Sequence, residues 1–191
     1  HDALPISKIR AAGERLKTFG GRASGPEPLV ELFKYAVAKF KGAAGRRLTS
    51  LEAHDLLCKI GEVVVVGGVR RSAMISLSDL SDHRMATAKA GNWWDTNGQR
   101  ALANNSATYV TKPDVGEFMK EWTSIYESHS GERGIFNRGG LAKTLPKRRL
   151  EKSADYIGEM GTNPCGEIIL RSRQFCNLSE VEIGRASCRE R

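Results

Sequence analysis

A run of four valines, followed by two glycines and a second apolar segment, constrains the fold of this chain more than any other feature. The stretch EVVVVGGVRRSAMISLS spans residues 62–78. An unbroken β-branched run predicts a strand buried on both faces, which is typical of parallel sheets in α/β proteins. Ala73 to Leu77 predicts a second strand. The glycines, with Arg70 and Arg71, predict a connecting loop that either contacts a phosphate or base or is a plain connection with solvated arginines.

Three amphipathic helices are predicted around these strands, because apolar residues recur at spacings of three and four. The first follows the prolines of FGGRASGPEP, the second opens with TSLE (49–52) as a capping box and runs to about Ile60, and the third runs from Pro113 to about Ser128. We expect Cys58 to be a buried structural thiol. We also expect two apolar stripes to be core: Leu29, Leu32, Phe33, Ala36, Val37 and Phe40 in the first helix, and Val115, Phe118, Met119, Trp122, Ile125 and Tyr126 in the third.

The segments between these helices alternate polar turns with short strands. The stretch 89–109 is predicted to be turn-rich and anchored by burial of Trp93 and Trp94, with NNS (104–106) either making turns or supplying amides that bind hydroxyl groups. SGERGIFNR predicts a turn followed by a short strand. PKRRLEK is predicted to lie on the surface, and residues 168–170 are predicted to be part of the core. This alternation predicts a single α/β unit in which loops at strand ends carry function.

The two ends of the chain resemble neither a folded segment nor a targeting signal. Residues 1–6 and 183–191 back-translate into sequencing-adapter DNA in its two orientations, so we expect both to be artefacts that flank an internal fragment of a longer protein. Without them the net charge falls from +8 to +7. This charge fits either an anionic partner or an ordinary basic surface. Because no apolar run approaches the roughly 20 residues of a membrane span, we expect a soluble, cytoplasmic protein.

Cysteine usage excludes two kinds of site. Without the end segments, Cys58, Cys165 and Cys176 remain, and their uneven spacing does not form a secreted disulfide framework. The sequence lacks a CxxC pair or a histidine cluster of the kind that binds zinc, so we predict no metal site. Aromatic residues are also not interleaved with the arginines as they are in single-strand binders.

The motif GTNPCGE (161–167) is the strongest candidate for chemistry. Pro164 and Gly166 disfavour helix and predict a tight turn, with Cys165 at its tip and Asn163 and Glu167 on the same side. A nearby carboxylate disfavours a thiolate, which argues against a protease-like nucleophile and suits chemistry in which the neutral S–H loses a hydrogen atom. A buried cysteine in an ordinary turn is the alternative.

The segments quoted above, together with RALANNSATY and QFCNLSEV, resemble ribonucleotide reductases in family order over nearly all of residues 8–182. GTNPCGE resembles the N-x-C-x-E finger-loop motif, and Cys176 resembles a second active-site cysteine in a CNL context. The short separation of Cys165 from Cys176 is similar to the adenosylcobalamin-dependent class II enzymes, of the triphosphate reductase type. The resemblance implies that residues 7–182 are part of a ten-stranded α/β barrel with a central finger loop.

The family's chemistry is implied for four residues. Cys165 would become a thiyl radical that abstracts the 3′ hydrogen of a ribonucleotide, Glu167 would accept the proton of the 3′ hydroxyl, and Asn163 would hydrogen-bond the substrate. Cys176 would supply reducing equivalents, together with a partner cysteine that the chain lacks. Adenosylcobalamin is the implied cofactor, with most of its binding residues outside the chain, and a thioredoxin-like protein is the implied reductant.

The glycine-rich loops resemble those that sense a deoxynucleoside triphosphate effector and signal its identity to the substrate site. The residues implied for these loops are Ser24, Gly67, Gly68, Arg70, Arg71, Asn105 and Ser106. Because the partner cysteine and the later phosphate-binding and C-terminal thiol segments are absent, we expect the isolated chain to be inactive. The alternatives are a class I large subunit and, from a different class, a basic nucleic-acid-binding module.

Overall fold

The structure, a computed structural model, describes residues 8–17, 21–66, 69–70, 72–129, 133–177 and 179. The helices in these ranges are α1 Glu27–Gly42, α2 Ser50–Val63, α3 His83–Ala86, α4 Trp93–Asn97, α5 Val115–Ser128, α6 Leu141–Thr144 and α7 Lys147–Leu150. The strands are β1 Val65–Val66, β2 Val69–Arg70, β3 Met74–Asp79, β4 Ala103–Tyr109, β5 Gly134–Asn137, β6 Gly161–Thr162 and β7 Ile169–Leu170. Short 3₁₀ helices cover Gly98–Leu102, Arg138–Gly140 and Ala154–Glu159.

A three-stranded parallel sheet lies at the centre of the fold, in the order β3-β4-β5. Helices and loops connect its strands, so the predicted α/β class is confirmed at this level. β4 is the middle strand and contains the NNS residues, for which turns were the favoured prediction. That prediction is wrong because β4 has a hydrogen-bonding neighbour on each side, and Ala103 and Ala107 are fully buried. Tertiary pairing here overrides the turn preference of Asn and Ser.

The four-valine run is not a strand of this sheet. Its first valine, Val63, ends α2, and Val64 caps that helix. Only Val65–Val66 pair, antiparallel, with Val69–Arg70. The predicted buried parallel strand is therefore wrong, whereas the second predicted strand is confirmed as β3. Because α2 starts at a strong N-terminal cap and each further residue adds a hydrogen bond, the helix continues into the first valine of the run.

The capping box that opens α2 is confirmed in detail. The Thr49 hydroxyl accepts the amide N–H of Glu52 at 3.2 Å, and the Glu52 carboxylate accepts the amide N–H of Thr49 at 2.9 Å. These two bonds satisfy donors that a helix start otherwise leaves without partners. The predicted burial of Cys58 is confirmed as well, since the side chain is fully enclosed. None of the helices in the described ranges is long and apolar enough to cross a bilayer.

The apolar stripes of α1 and α5 are not core in this structure, so that prediction is wrong. Phe33 and Phe40 in α1 and Trp122 in α5 are each more than half exposed. Polar contacts decide which face of each helix points inward: Lys39 of α1 lies 3.6 Å from the buried Asp55, and Glu121 of α5 accepts a hydrogen bond from the buried Arg133 at 2.6 Å. Trp94 is also 55% exposed, contrary to expectation, and Trp93 is half-buried below Lys89.

Candidate functional site

The GTNPCGE motif forms the tip of a hairpin between β6 and β7. The strands pair antiparallel, and the amide of Gly166 donates to the carbonyl of Asn163 at 3.0 Å, which closes a tight turn with Pro164 and Cys165 in its centre. Gly166 has φ +87°, a left-handed conformation that glycine adopts without strain. The prediction that Cys165 occupies the tip of a turn is confirmed, and its side chain is exposed.

This tip lies over the parallel sheet and bounds a cavity of about 340 Å³. The cavity is lined on the hairpin side by Pro164, Cys165 and Gly166, and on the sheet side by residues of all three strands. The side-chain amide of Asn104 in β4 donates to the carbonyl oxygen of Pro164 at 2.7 Å. The thiol of Cys165 therefore faces a space large enough for a small ligand, next to the middle strand of the sheet.

Asn163 and Glu167 differ in their surroundings although they flank the same cysteine. Asn163 is 7% exposed, and its side-chain oxygen accepts the amide N–H of Ile168 at 3.0 Å. This bond, with the bond from the Asn163 amide to the Ile168 carbonyl, holds the two sides of the loop together. Glu167 is exposed, so its carboxylate is accessible to a molecule that enters from solvent. The turn thus combines one fixed amide with an accessible thiol and an accessible carboxylate.

Cys176 follows β7 after a turn in which the Arg171 amide donates to the side-chain oxygen of Gln174 at 3.0 Å and the Gln174 amide donates to the Arg171 carbonyl at 3.2 Å. The thiols of Cys176 and Cys165 are exposed, whereas that of Cys58 is buried, and all three are free cysteines. In the described part of the chain, no disulfide links the two cysteines of the motif. The structure is thus compatible with separate roles for Cys165 and Cys176.

The other residues predicted for the site are placed less fully. Gly67, Gly68 and Arg71 lie outside the described residues, and of Arg70 only the backbone in β2 is described. Ser24 is exposed in the segment before α1. Asn105 and Ser106, by contrast, lie on β4, which borders the cavity beside Cys165, and the Asn105 side chain bonds to His54 on the other face of the sheet. They are therefore strand residues next to the cavity and do not form a loop.

A buried polar network behind β4 was not predicted from the sequence. The guanidinium of Arg100 donates to both carboxylate oxygens of Asp55, at 2.6 and 2.8 Å, and the ring of His54 donates to the side-chain oxygen of Asn105 at 3.2 Å. Asp55 and His54 are 1% and 4% exposed. The sequence signal was weak, because HD within an amphipathic helix is ordinarily a solvated pair.

The electrostatics of this network follow from its burial and its contacts. Burial alone would raise the pKa of Asp55, but hydrogen bonds from Arg100, with the charges of Arg100 and Lys39, hold that pKa well below its usual value. Burial, with the charge of Asp55, raises the pKa of Cys58 to about 11. Cys58 is therefore a neutral thiol at physiological pH. No group of three or more His, Cys, Asp or Glu side chains that could hold a metal ion occurs in the ranges that the structure describes.

Comparison with known proteins shows which proteins the chain is similar to. The chain is 38% identical over 180 residues to the adenosylcobalamin-dependent ribonucleoside-triphosphate reductase of Levilactobacillus brevis. It is 35% identical over 185 and 179 residues to the proteins of the same name from Lactobacillus gasseri and Lactobacillus leichmannii. Each match covers 93% of this chain. The chain is thus similar, over nearly all of its length, to part of the adenosylcobalamin-dependent ribonucleoside-triphosphate reductases.

These matches cover only part of each reductase. The chain spans 23% of the length of each of the three reductases. Residues 2–39 match the sequence profile of the insertion domain of B12-dependent ribonucleotide reductase, a range that includes most of α1 and part of the segment expected to derive from adapter DNA. No solved structure matches the chain. The comparisons favour the adenosylcobalamin-dependent family over the class I and nucleic-acid-binding alternatives.

Proposed function

We propose that this chain is part of a ribonucleotide reductase and carries the residues that begin the reduction of a ribonucleoside triphosphate. The observation that carries the proposal is the turn of GTNPCGE, which presents Cys165 and Glu167 to solvent beside a cavity over the parallel sheet. The names of the relatives support the reaction and the triphosphate substrate. We further propose that β3, β4 and β5 belong to a ten-stranded barrel whose central finger loop is the β6–β7 hairpin.

In this proposal each residue of the turn has a separate role. Cys165, as a thiyl radical, takes the 3′ hydrogen atom of the ribonucleotide and so becomes a thiol. Glu167 takes the proton of the 3′ hydroxyl and later returns it, and the 2′ hydroxyl leaves as water with a proton from one of the two reducing thiols. Once these thiols have reduced the sugar, Cys165 returns the hydrogen atom to the 3′ carbon and is again a thiyl radical. Because the Asn163 oxygen already accepts from Ile168, its amide N–H group is the part of that side chain proposed to bind a substrate hydroxyl.

The reaction needs two reducing equivalents, which thiols supply. We propose that Cys176 gives one and that a cysteine elsewhere in the reductase gives the other, so that both end in one disulfide. A thioredoxin-like protein would then reduce that disulfide. The exposure of Cys176 fits exchange with an external thiol. Recognition of a deoxynucleoside triphosphate effector by Ser24, Gly67, Gly68, Arg70 and Arg71 is part of the same proposal.

The cofactor proposed is adenosylcobalamin, which when bound supplies the radical that oxidises Cys165. The exposed thiol fits this requirement, because a hydrogen-atom donor must be reachable from outside the turn. We assign none of the described residues to holding the corrin ring. The contribution of this chain is then to present and orient one thiol.

The test uses the reductase that carries this segment, with adenosylcobalamin, a dithiol and a ribonucleoside triphosphate labelled with tritium at the 3′ carbon. Cys165→Ser is expected to abolish both deoxynucleotide formation and release of the label while nucleotide binding is kept. Cys176→Ser is the matched control, since it should lose multiple turnover but still release label. Turnover by Cys165→Ser would refute the assignment. Turnover only when a second radical-supplying subunit is added would favour a class I enzyme.

A further inference from the structure

The hairpin that carries Cys165 is too short to hold its own tip in place. β6 and β7 pair through only two residues each, Gly161 with Leu170 and Thr162 with Ile169. A two-stranded hairpin of this size is at best marginally stable in water. The position of the tip relative to the sheet must therefore come from contacts with the rest of the fold.

Two arginines fix the base of the hairpin. Arg138 donates from Nε to the carbonyl of Met160 at 2.8 Å, and Arg149 donates to the carbonyl of Ile169 at 2.9 Å. Met160 is also 1% exposed. The first contact is on the residue before β6 and the second is within β7. Neither is on Pro164 or Cys165, so the tip itself needs another contact.

Asn104 provides the contact at the tip. Its side-chain amide donates at 2.7 Å to the carbonyl oxygen of Pro164, the residue immediately before Cys165. The bond joins residues 60 positions apart in the chain, so it is a tertiary contact and not part of a local turn. It connects the backbone of the cysteine turn directly to the middle strand of the sheet, across the edge of the cavity that Cys165 lines.

The strand that presents Asn104 is itself held from behind. Successive side chains of a strand point to opposite faces. Asn105 accordingly accepts a hydrogen bond from the buried ring of His54, on the side away from the hairpin, at 3.2 Å. The 3₁₀ helix that leads into β4 contains Arg100, which is paired with Asp55 of the same helix α2. Asn104 thus projects from a rigid support, as a positioning group requires.

From this arrangement we propose that Asn104 is a positioning residue for Cys165, which it holds over the cavity through the carbonyl of Pro164. The inference rests on the proposed function of Cys165, and it assigns to Asn104 no contact with substrate. The tip is docked when Asn104 bonds to Pro164 and undocked when it does not. The net contribution of one such hydrogen bond changes the equilibrium between these two states by about three- to tenfold. The amide protons of Gly166 and Ile168, which bond to Asn163 within the tip, report that shift.

Hydrogen exchange of the 191-residue chain, followed by NMR or mass spectrometry, tests the proposal. Asn104→Ala is expected to speed exchange of the Gly166 and Ile168 amides by about three- to tenfold, with exchange in the β3–β4 ladder unchanged. Asn104→Gln keeps the donor and should restore part of the protection. Asn97→Ala is the matched control, because the Asn97 side chain bonds only locally, to Thr96, at 2.9 Å. Unchanged exchange at the tip, or equal loss of protection in tip and ladder, would overturn the assignment.

A second measurement separates positioning from a general structural role. Asn104→Asp removes the donor and places a carboxylate near Cys165, which disfavours the thiolate. The rate of Cys165 alkylation by iodoacetamide, relative to that of Cys176 in the same molecule, is expected to fall by about twofold or more at pH 8. Asn97→Asp should leave the ratio unchanged, and an unchanged ratio in Asn104→Asp would contradict the proximity. Neither measurement uses turnover, so a result that contradicts the role of Asn104 does not affect the proposed radical role of Cys165. Conversely, turnover by Cys165→Ser would refute that radical role without affecting the contact between Asn104 and Pro164.

Discussion

Replacing Asp55 by asparagine tests whether the buried ion pair with Arg100 fixes α2 to the sheet. The pair is bidentate, at 2.6 and 2.8 Å, and both side chains are at most 10% exposed. Asparagine keeps the shape but leaves the Arg100 charge without its counter-ion, and breaking a buried pair in this way costs about 3–5 kcal/mol. The free energy of unfolding of a domain is about 5–15 kcal/mol, so we expect the loss to be about a fifth of the stability or more.

Urea unfolding, followed by far-ultraviolet circular dichroism, measures this loss. Asp95→Asn is the matched control, since Asp95 is exposed and the same change there should alter the free energy of unfolding by less than about 0.5 kcal/mol. The double variant Asp55→Leu, Arg100→Met removes both charges and is expected to be more stable than Asp55→Asn alone. A loss below about 1 kcal/mol for Asp55→Asn would refute the role that we give to the pair.

The pH dependence of the difference in unfolding free energy between the parent chain and Asp55→Asn is an independent test of the ion pair. Burial would raise the pKa of Asp55, but the hydrogen bonds from Arg100 and the charges of Arg100 and Lys39 hold it below its usual value. Its contribution to stability is therefore complete above the pKa of an unfolded aspartate, about 3.9, and is lost as the pH falls below that value. The difference in unfolding free energy between the parent chain and Asp55→Asn should be constant from about pH 5 to pH 8 and shrink below about pH 4. A difference that grows on acidification would contradict this sign.

Thr49→Ala removes the hydroxyl that accepts the Glu52 amide at 3.2 Å, so we expect the unfolding free energy to fall by about 1 kcal/mol in urea, and by less for Thr49→Asp, which keeps an acceptor. Equal losses for the two variants would contradict the capping box. Because Cys58 is buried and its pKa is raised to about 11, iodoacetamide at neutral pH should label Cys165 and Cys176 in the native chain and Cys58 only after denaturation, as measured by peptide mass spectrometry. Native labelling of Cys58 at the rate of Cys176 would argue against its burial.

Elements with strong local signals were predictable. TSLE places acceptor and donor three residues apart, and the resulting cap satisfies groups within one turn of helix, so its structure needs no distant partner. The turn of GTNPCGE is similar: Pro164 fixes one backbone angle and Gly166 accepts a positive φ of 87°. Local chemistry therefore predicted both the start of α2 and the exposed tip that carries Cys165.

Predictions that depended on which distant part of the chain packs against a residue were less successful. The periodicity of α1 and α5 predicted buried stripes, but periodicity shows only that a face is apolar and not that a partner covers it. In this structure Lys39 and Glu121, which bond to buried charges, mark the inward faces. For the same reason, the polarity of NNS predicted turns, whereas pairing on both sides makes it the middle strand.

The sequence by itself determined the α/β class, the caps and turns, and the residues that carry the proposed chemistry, because each depends on groups close together in the chain. The tertiary structure alone decided that Asn104 meets Pro164, that His54 meets Asn105 and that Arg100 neutralises Asp55. These contacts join residues 45 to 60 positions apart, and their energy depends on burial and geometry that exist only after the sheet has formed. The turn of Cys165 is thus a local structure, whereas its place over the cavity is a property of the fold.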